Sequence, residues 1–241
     1  MKTEISSVGR VHSFQSLGAL DGPGIRFVVF LQGCNLRCGC CHNPDTFNIT
    51  GGSEYTAEQI VERVLRYTEY FGDNGGITVS GGEPLLQADF VKDVFSLCKS
   101  KGINTCLDTS GSILNDKVKT MLKASDRVLL DIKYTTDDDY RKYVGCSIEK
   151  PLEFLEYLDK RGIPTTVRQV IIPTQDDTED QVSELKNIVS AHQNVDKTEL
   201  LPFRKICQVK YDKMEMKFPF ADIPEPTKEA MSRLEDILKS N

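Results

Sequence analysis

The sequence predicts an α/β fold, a partial (β/α)6 barrel of the parallel type, forming a single domain over residues 1–241. Three observations predict it. Six short apolar runs alternate with amphipathic helical stretches, the pattern of consecutive βα units on a parallel sheet. Capping-box sequences mark helix starts between those runs. A closed eight-unit barrel takes about 250 residues, so six units plus an N-terminal extension fit 241 residues better. A doubly wound open sheet shares this periodicity and stays the alternative.

The elements follow in order. Residues 1–24 read as an N-terminal extension ending in the turn-rich loop Asp21-Gly22-Pro23-Gly24, and residues 25–241 as the partial barrel. The first strand is Ile25 to Phe30, flanked by glycine. Thr56 and Gln59 form a capping box, with Ile60, Val64 and Phe71 on one helical face. Ile77 to Ser80 is the second strand, followed by a stripe of Phe90, Val91, Val94, Phe95 and Cys98. Strands Ile103 to Asp108 and Arg127 to Ile132 enclose a short helix over 115–123, and a further helix covers 151–160. Thr165 to Ile171 is the fifth strand. Thr178 and Gln181 repeat the capping box ahead of Val182, Leu185 and Val189. Thr198 to Leu201 is the sixth strand, and Pro226 and Thr227 open a last helix carrying Met231, Leu234 and Leu238.

Composition narrows the function classes. Hydrophobic residues at 39% and charged residues at 27% support a packed core rather than disorder. A net charge of -6 argues against duplex nucleic acid as a partner. No apolar run approaches the ~18 residues of a membrane span, and the N-terminus lacks the apolar core of a signal peptide. A cytoplasmic protein that binds neither nucleic acid nor membrane is expected. Such a chain seldom keeps disulfides, so clustered cysteines there point to metal binding or catalysis. Of the eight cysteines, Cys34, Cys38, Cys40 and Cys41 fall together, followed by His42. Cys98, Cys106, Cys146 and Cys207 are scattered and read as small buried hydrophobes.

Cys34, Cys38 and Cys41 form C-x3-C-x2-C, able to wrap one face of a metal centre. Soft thiolates suit zinc or an iron–sulfur cluster. Structural zinc wants four closed ligands; the fourth would be Cys40 or His42, and Cys40, adjoining Cys41, would strain to reach the same ion. A cubane held by three thiolates leaves one iron open to a ligand, since full ligation uses four. The cluster is the better fit, with a zinc-stabilised binding module as the rival. The other unusual residues fall at the carboxyl ends of the strands, where parallel α/β folds place their chemistry. They are Gly81-Gly82-Glu83, Asp108, Asp131-Ile132-Lys133, and Arg204 after the sixth strand. Arg168 lies inside the fifth.

With these motifs in place, the chain resembles the radical S-adenosylmethionine (SAM) proteins and, within them, the activating enzymes of glycyl radical enzymes. Asp21-Gly22-Pro23-Gly24-Ile25-Arg26, Phe30-Leu31-Gln32-Gly33-Cys34, Cys41-His42-Asn43-Pro44, Ser80-Gly81-Gly82-Glu83, Leu130-Asp131-Ile132-Lys133 and Glu199-Leu200-Leu201-Pro202 occur in the family's order over nearly the whole chain. The resemblance implies a radical SAM partial barrel and a [4Fe-4S] cluster held by Cys34, Cys38 and Cys41. It implies SAM contacts from Cys40, Cys41, His42, Gly81, Gly82, Glu83, Asp108, Asp131, Ile132, Lys133 and Arg204. Asp108, Thr109 and Asp131 are the positions for a monovalent cation beside the SAM carboxylate. Asp21, Gly22 and Arg168 are the positions for substrate contact. No residue is expected to act as a general acid or base.

Two positions depart from the family. Cys40 stands where it usually has an aromatic ring, and Arg204 where a close member has a histidine. The implied activity is reductive cleavage of SAM to methionine and a 5′-deoxyadenosyl radical under anaerobic conditions, placing a glycyl radical on a partner enzyme. Between His42 and Gly76 there is no room for the ferredoxin-like insertion of some family members. That favours pyruvate formate-lyase as the partner, flavodoxin or ferredoxin as the electron donor, and a monomer. An activase of another glycyl radical enzyme, or a radical SAM enzyme acting on a small molecule, is the alternative.

Overall fold

The structure is a computed structural model, and it describes residues 7–175 and 177–240. Residues 1–6 of the expected extension lie outside the described residues. The fold is α/β, on a mostly parallel, partly open sheet. The chain falls into two compact units, Met1–Asn35 with Thr46–Leu129, and Leu36–Asp45 with Leu130–Asn241.

The first unit begins with β1 (Val8–Gly18), β2 (Arg26–Leu31) and β3 (Ser53–Thr56). Helix α1 (Ala57–Leu65), β4 (Gly76–Gly81), α2 (Ala88–Ser100), β5 (Asn104–Thr109) and α3 (Asp116–Leu122) complete it. Its strands run in the order β3-β1-β2-β4-β5. β2 pairs in parallel with β4, and β4 with β5. Thr56 caps α1 as expected: its hydroxyl accepts from the Gln59 N–H, and the Gln59 side chain accepts from the Thr56 N–H at 2.9 Å. Ile60 and Val64 are buried. Phe71 is buried too, but beyond the end of α1, after a 3-10 turn over Thr68–Tyr70. All five residues of the α2 stripe are buried.

β1 corrects the sequence reading of residues 1–24 as extension and loop. It lies in the sheet, antiparallel to both β2 and β3. Its apolar residues Val8, Val11, Phe14 and Leu17 recur every third position, a period that fits neither strand nor helix. The pattern marks no single face, since Val11 is buried while Val8 and Leu17 are exposed, and register shifts between Val11 and Ser13 and between Gln15 and Gly18 interrupt the pairing with β2.

β6 (Arg127–Asp131) carries the boundary between the units. The second unit continues with α4 (Asp137–Tyr143), α5 (Glu149–Lys160), β7 (Thr165–Ile171), α6 (Glu179–Ser190), β8 (Val195–Pro202), α7 (Gln208–Lys213) and α8 (Lys228–Lys239). β7 and β8 pair in parallel. Thr178 and Gln181 form the second capping box, and α8, capped by Thr227, packs against α6 and β8. Two helices, α4 and α7, have no counterpart in the sequence reading. Among the described residues no helix is long and apolar enough to cross a membrane.

Candidate functional site

In the first unit, β2 ends in Gly33-Cys34. Gly33 takes φ +97°, a left-handed value that favours glycine, and its N–H donates to the Thr46 carbonyl at 2.8 Å. The end of β4 lies directly against this turn. Gly82 N–H donates to Leu31 O at 2.9 Å and Glu83 N–H to Gly33 O at 2.8 Å. A Cβ on Gly82 would sit 2.1 Å from Gly33 O, and one on Gly81 2.2 Å from Leu31 N. The glycine pair therefore lets two strand ends meet beside Cys34. Gly82→Ala should cost about 1–3 kcal/mol through overpacking and reduce iron loading by displacing Gly33. Thermal melting and iron content test this; wild-type values for both would show that the strand ends have room.

Glu83, 1% exposed, gathers four donors. Its carboxylate accepts from Leu85 N–H at 3.1 Å, Thr109 Oγ1 at 2.6 Å and Ser110 N–H at 3.0 Å, and from the Ser110 hydroxyl. Burial raises its pKa above the usual carboxylate range, with these hydrogen bonds opposing the shift. It thereby ties the end of β4 to the end of β5. Neighbouring Asp108 accepts from Ser80 Oγ at 2.7 Å.

Asp21 and Gly22 lie at the opposite end of these strands. The Asp21 carbonyl accepts from Thr78 Oγ1 at 2.7 Å. Arg26, fully buried at the amino end of β2, donates to Pro23 O at 3.0 Å, Thr78 Oγ1 at 2.6 Å, Ile77 O at 2.7 Å and Asn104 Oδ1 at 3.0 Å. The turn-rich loop is thus fastened down by a guanidinium whose donors it shares with β4 and β5.

The second unit carries Cys38, Cys40, Cys41 and His42. Arg37 N–H donates to Val144 O at 3.2 Å and Gly39 N–H to Tyr143 O at 2.8 Å, holding the run to the end of α4. A Cβ on Gly39 would meet the Phe220 ring at 2.4 Å. Phe220 belongs to a ring cluster with Tyr143, Phe203, Phe218 and Tyr211. The far end of the run is fastened by α7 and the segment before it. Tyr211 OH donates to Cys41 O at 3.3 Å, and Lys210 Nζ to Asn43 Oδ1 at 2.8 Å and Asp45 Oδ1 at 3.0 Å. His42 Nε2 lies 2.9 Å from Arg204 O. The Arg204 guanidinium pairs with Glu225 at 2.6 Å. Sequence reasoning missed Lys210 and Tyr211, because α7 is too short to show a helical period, and Phe220, which lies in irregular chain after it.

Asp131, Lys133 and Arg168 form one charged group. Lys133 Nζ lies 3.0 Å from Asp131 Oδ2, and Arg168 holds Asp131 Oδ1 through Nε at 3.0 Å and a terminal nitrogen at 2.9 Å. Burial works to raise the Asp131 pKa, but Arg168 and Lys133 outweigh it and hold the group at about 2. Burial opposes the charge on Lys133, while Asp131 and the Cys38 and Cys40 thiols favour it more, so its pKa is raised. Ile132 is fully buried, and its N–H donates to Arg168 O at 2.9 Å.

Cys34, Cys38, Cys40 and Cys41 are half-buried thiols, whereas Cys98, Cys106 and Cys207 are buried, as the scattered cysteines were read; Cys146 is half-buried. Among the described residues no group of three or more His, Cys, Asp or Glu gathers around one metal ion. A cubane asks for one thiolate per iron instead. Soft, half-buried thiols with an ammonium beside Cys38 and Cys40 fit such a cluster by donor chemistry.

A family model for the radical SAM superfamily matches residues 28–185. The chain is 44% identical over 233 residues to the pyruvate formate-lyase-activating enzyme of Clostridium pasteurianum, covering 96% of this chain and 98% of that protein. It is 40% identical over 238 residues to the pyruvate formate-lyase 1-activating enzyme of Escherichia coli K12, covering 98% and 97%. Among solved structures, Streptococcus suis SuiB bound to precursor peptide SuiA matches with a TM-score of 0.65 at 18% identity, over 88% of this chain and 44% of that one. At that identity the likeness concerns the fold alone.

Proposed function

Because the chain belongs to the radical SAM superfamily, among the pyruvate formate-lyase-activating enzymes, we propose that it installs a glycyl radical on pyruvate formate-lyase under anaerobic conditions. One observation carries this reading: C-x3-C-x2-C stands intact in a chain 44% identical, almost end to end, to a protein of that name. When bound, the [4Fe-4S] cluster would supply one electron for reductive cleavage of SAM to methionine and a 5′-deoxyadenosyl group, which would leave as 5′-deoxyadenosine carrying the hydrogen atom taken from a glycine α-carbon of the partner.

The chain's own residues then hold, orient and exclude water. Cys34, Cys38 and Cys41 hold the cluster, and Cys40 stays outside the ligand set. The glycine pair and Glu83 keep the turn after β2 in place beside Cys34. Asp131, Lys133 and Arg168 set both signs of charge side by side, as an amino acid cofactor with an ammonium and a carboxylate requires. Cys41, His42, Ile132 and Arg204 complete the proposed SAM contacts, and Asp108 joins Asp131 in holding a monovalent cation. Asp21 and Gly22, which Arg26 and Thr78 hold at the amino end of β2 and so away from Cys34, would meet a part of the partner's peptide remote from the reacting glycine, and Arg168 adds a contact from β7. Positioning at about 3–3.5 Å is what makes hydrogen abstraction outrun loss of the radical. A flavodoxin or ferredoxin donor, a cytoplasmic setting and a monomeric enzyme complete the proposal.

Mixing the anaerobically reconstituted protein, SAM, a strong reductant and pyruvate formate-lyase should give the EPR doublet of a glycyl radical. SAM cleavage without the doublet would point instead to another substrate.

A further inference from the structure

We propose that Tyr140 is a positioning residue for SAM: its phenol fixes the backbone of Lys133 and ties it to the same helix that holds the cysteine run. Past the end of β6, the Ile132 N–H donates to Arg168 O on β7 at 2.9 Å. The next N–H, that of Lys133, donates instead to the Tyr140 hydroxyl at 2.9 Å. Tyr140 is 2% exposed, and its ring meets Tyr134 edge-on with centroids 6.3 Å apart. A backbone N–H away from water needs an acceptor, and here a buried side chain seven residues further along the chain supplies it. Burial pushes the phenol above its ordinary pKa, so it stays neutral and keeps the same hydrogen-bonding role.

α4 is itself held at both ends. At its start the Thr136 side chain accepts from Asp139 N–H, and Asp137 Oδ1 accepts from Ser147 Oγ at 2.7 Å and Ile148 N–H at 3.0 Å. At its far end the Tyr143 and Val144 carbonyls accept from Gly39 N–H at 2.8 Å and Arg37 N–H at 3.2 Å, on either side of Cys38. One short helix therefore grips the backbone of Lys133 and the backbone around Cys38 at once. The Lys133 ammonium, 3.0 Å from Asp131 Oδ2, is the group whose place relative to the cysteines this sets. The inference rests on the reading that Cys38 holds the cluster and Lys133 contacts SAM. A cofactor anchored on the cluster and met by Lys133 binds well only when the two are kept at a fixed separation.

The test measures the Kd for SAM by calorimetry on anaerobic holoenzyme without reductant, with iron content and Tm alongside. Lys133→Met should weaken SAM binding roughly tenfold, as loss of a charge-assisted contact does. Tyr140→Phe should load iron like the wild type and weaken SAM binding roughly three- to tenfold. In the double variant the two losses should not add, because the phenol acts through Lys133. Thr178→Ala, which removes the capping box of α6, should lower Tm and leave the Kd at the wild-type value, which separates positioning from general softening. A wild-type Kd in Tyr140→Phe beside a weakened Lys133→Met overturns the proposal. So do additive losses, an equal loss in Thr178→Ala, or a Tyr140→Phe protein that loads no iron. A wild-type Kd in Lys133→Met would instead sink the reading of Lys133 as a SAM contact, and the proposal would fall with it.

Discussion

Replacing Cys34, Cys38 or Cys41 by alanine should reduce SAM cleavage to background, while Cys40→Ala should load about four irons per chain like the wild type. The two outcomes separate because a thiolate bond to iron has no substitute in a methyl group, whereas on the proposed ligand set Cys40 makes no such bond. Cys40 is half-buried like its neighbours, and its thiol lies near Lys133 as that of Cys38 does. Burial and environment therefore do not tell it from a ligand; only the spacing to the other cysteines does. Iron and sulfide analysis, the visible spectrum and the yield of 5′-deoxyadenosine after reduction measure the difference. An empty site in Cys40→Ala would reassign the ligands. About one zinc and no iron in the wild type would favour the binding-module rival.

Asp131→Asn should produce the largest loss of stability of any conservative change in the second unit. The amide keeps the shape and removes the charge, leaving Arg168 and Lys133, whose side chains are 10% and 18% exposed, without their shared carboxylate. Breaking a buried pair costs about 3–5 kcal/mol, and the lower end applies because a quarter of the Asp131 side chain still meets water. For a chain of this size that is roughly 5–15 °C in Tm.

The acid dependence carries a sign. The Asp131 pKa is held at about 2, against about 3.9 in an unfolded chain. Its contribution is therefore complete above the unfolded value and is lost as the pH falls through the folded one. Urea denaturation should separate the wild type from Asp131→Asn at pH 7 and bring the two together near pH 2. Adding Arg168→Met to Asp131→Asn should recover part of the loss, because one stranded cation goes with it. Equal stability at neutral pH, or parallel curves down to pH 2, would show that the three groups do not act as a unit.

Much of this molecule is legible in its sequence, for reasons visible in particular residues. The strands lie within a few residues of their expected positions because each is a short apolar run bounded by turn formers. Thr56 with Gln59 and Thr178 with Gln181 mark their helices because a capping box closes within four residues. The cysteine spacing is local in the same sense. What lies only three or four residues away, or repeats with the period of one element, is written along the chain.

Tertiary structure alone decided the rest. β1 escaped because its apolar residues divide between buried and exposed positions, as Val11 does from Val8 and Leu17, and α7 because it is short. That Glu83 draws donors from the end of β5, that Asp131 holds Arg168 and Lys133 at once, and that Tyr211 reaches back to Cys41 depend on residues 26 to 170 positions apart. The Asp21–Gly24 turn reads as a loop from its glycines and proline, but its place at the amino end of β2 and β4 comes from Arg26 and Thr78. Composition and spacing report the chemistry a chain can bring. Which groups meet is settled when buried charges and strand-end amides find partners, because leaving them unpaired in the interior costs several kcal/mol each.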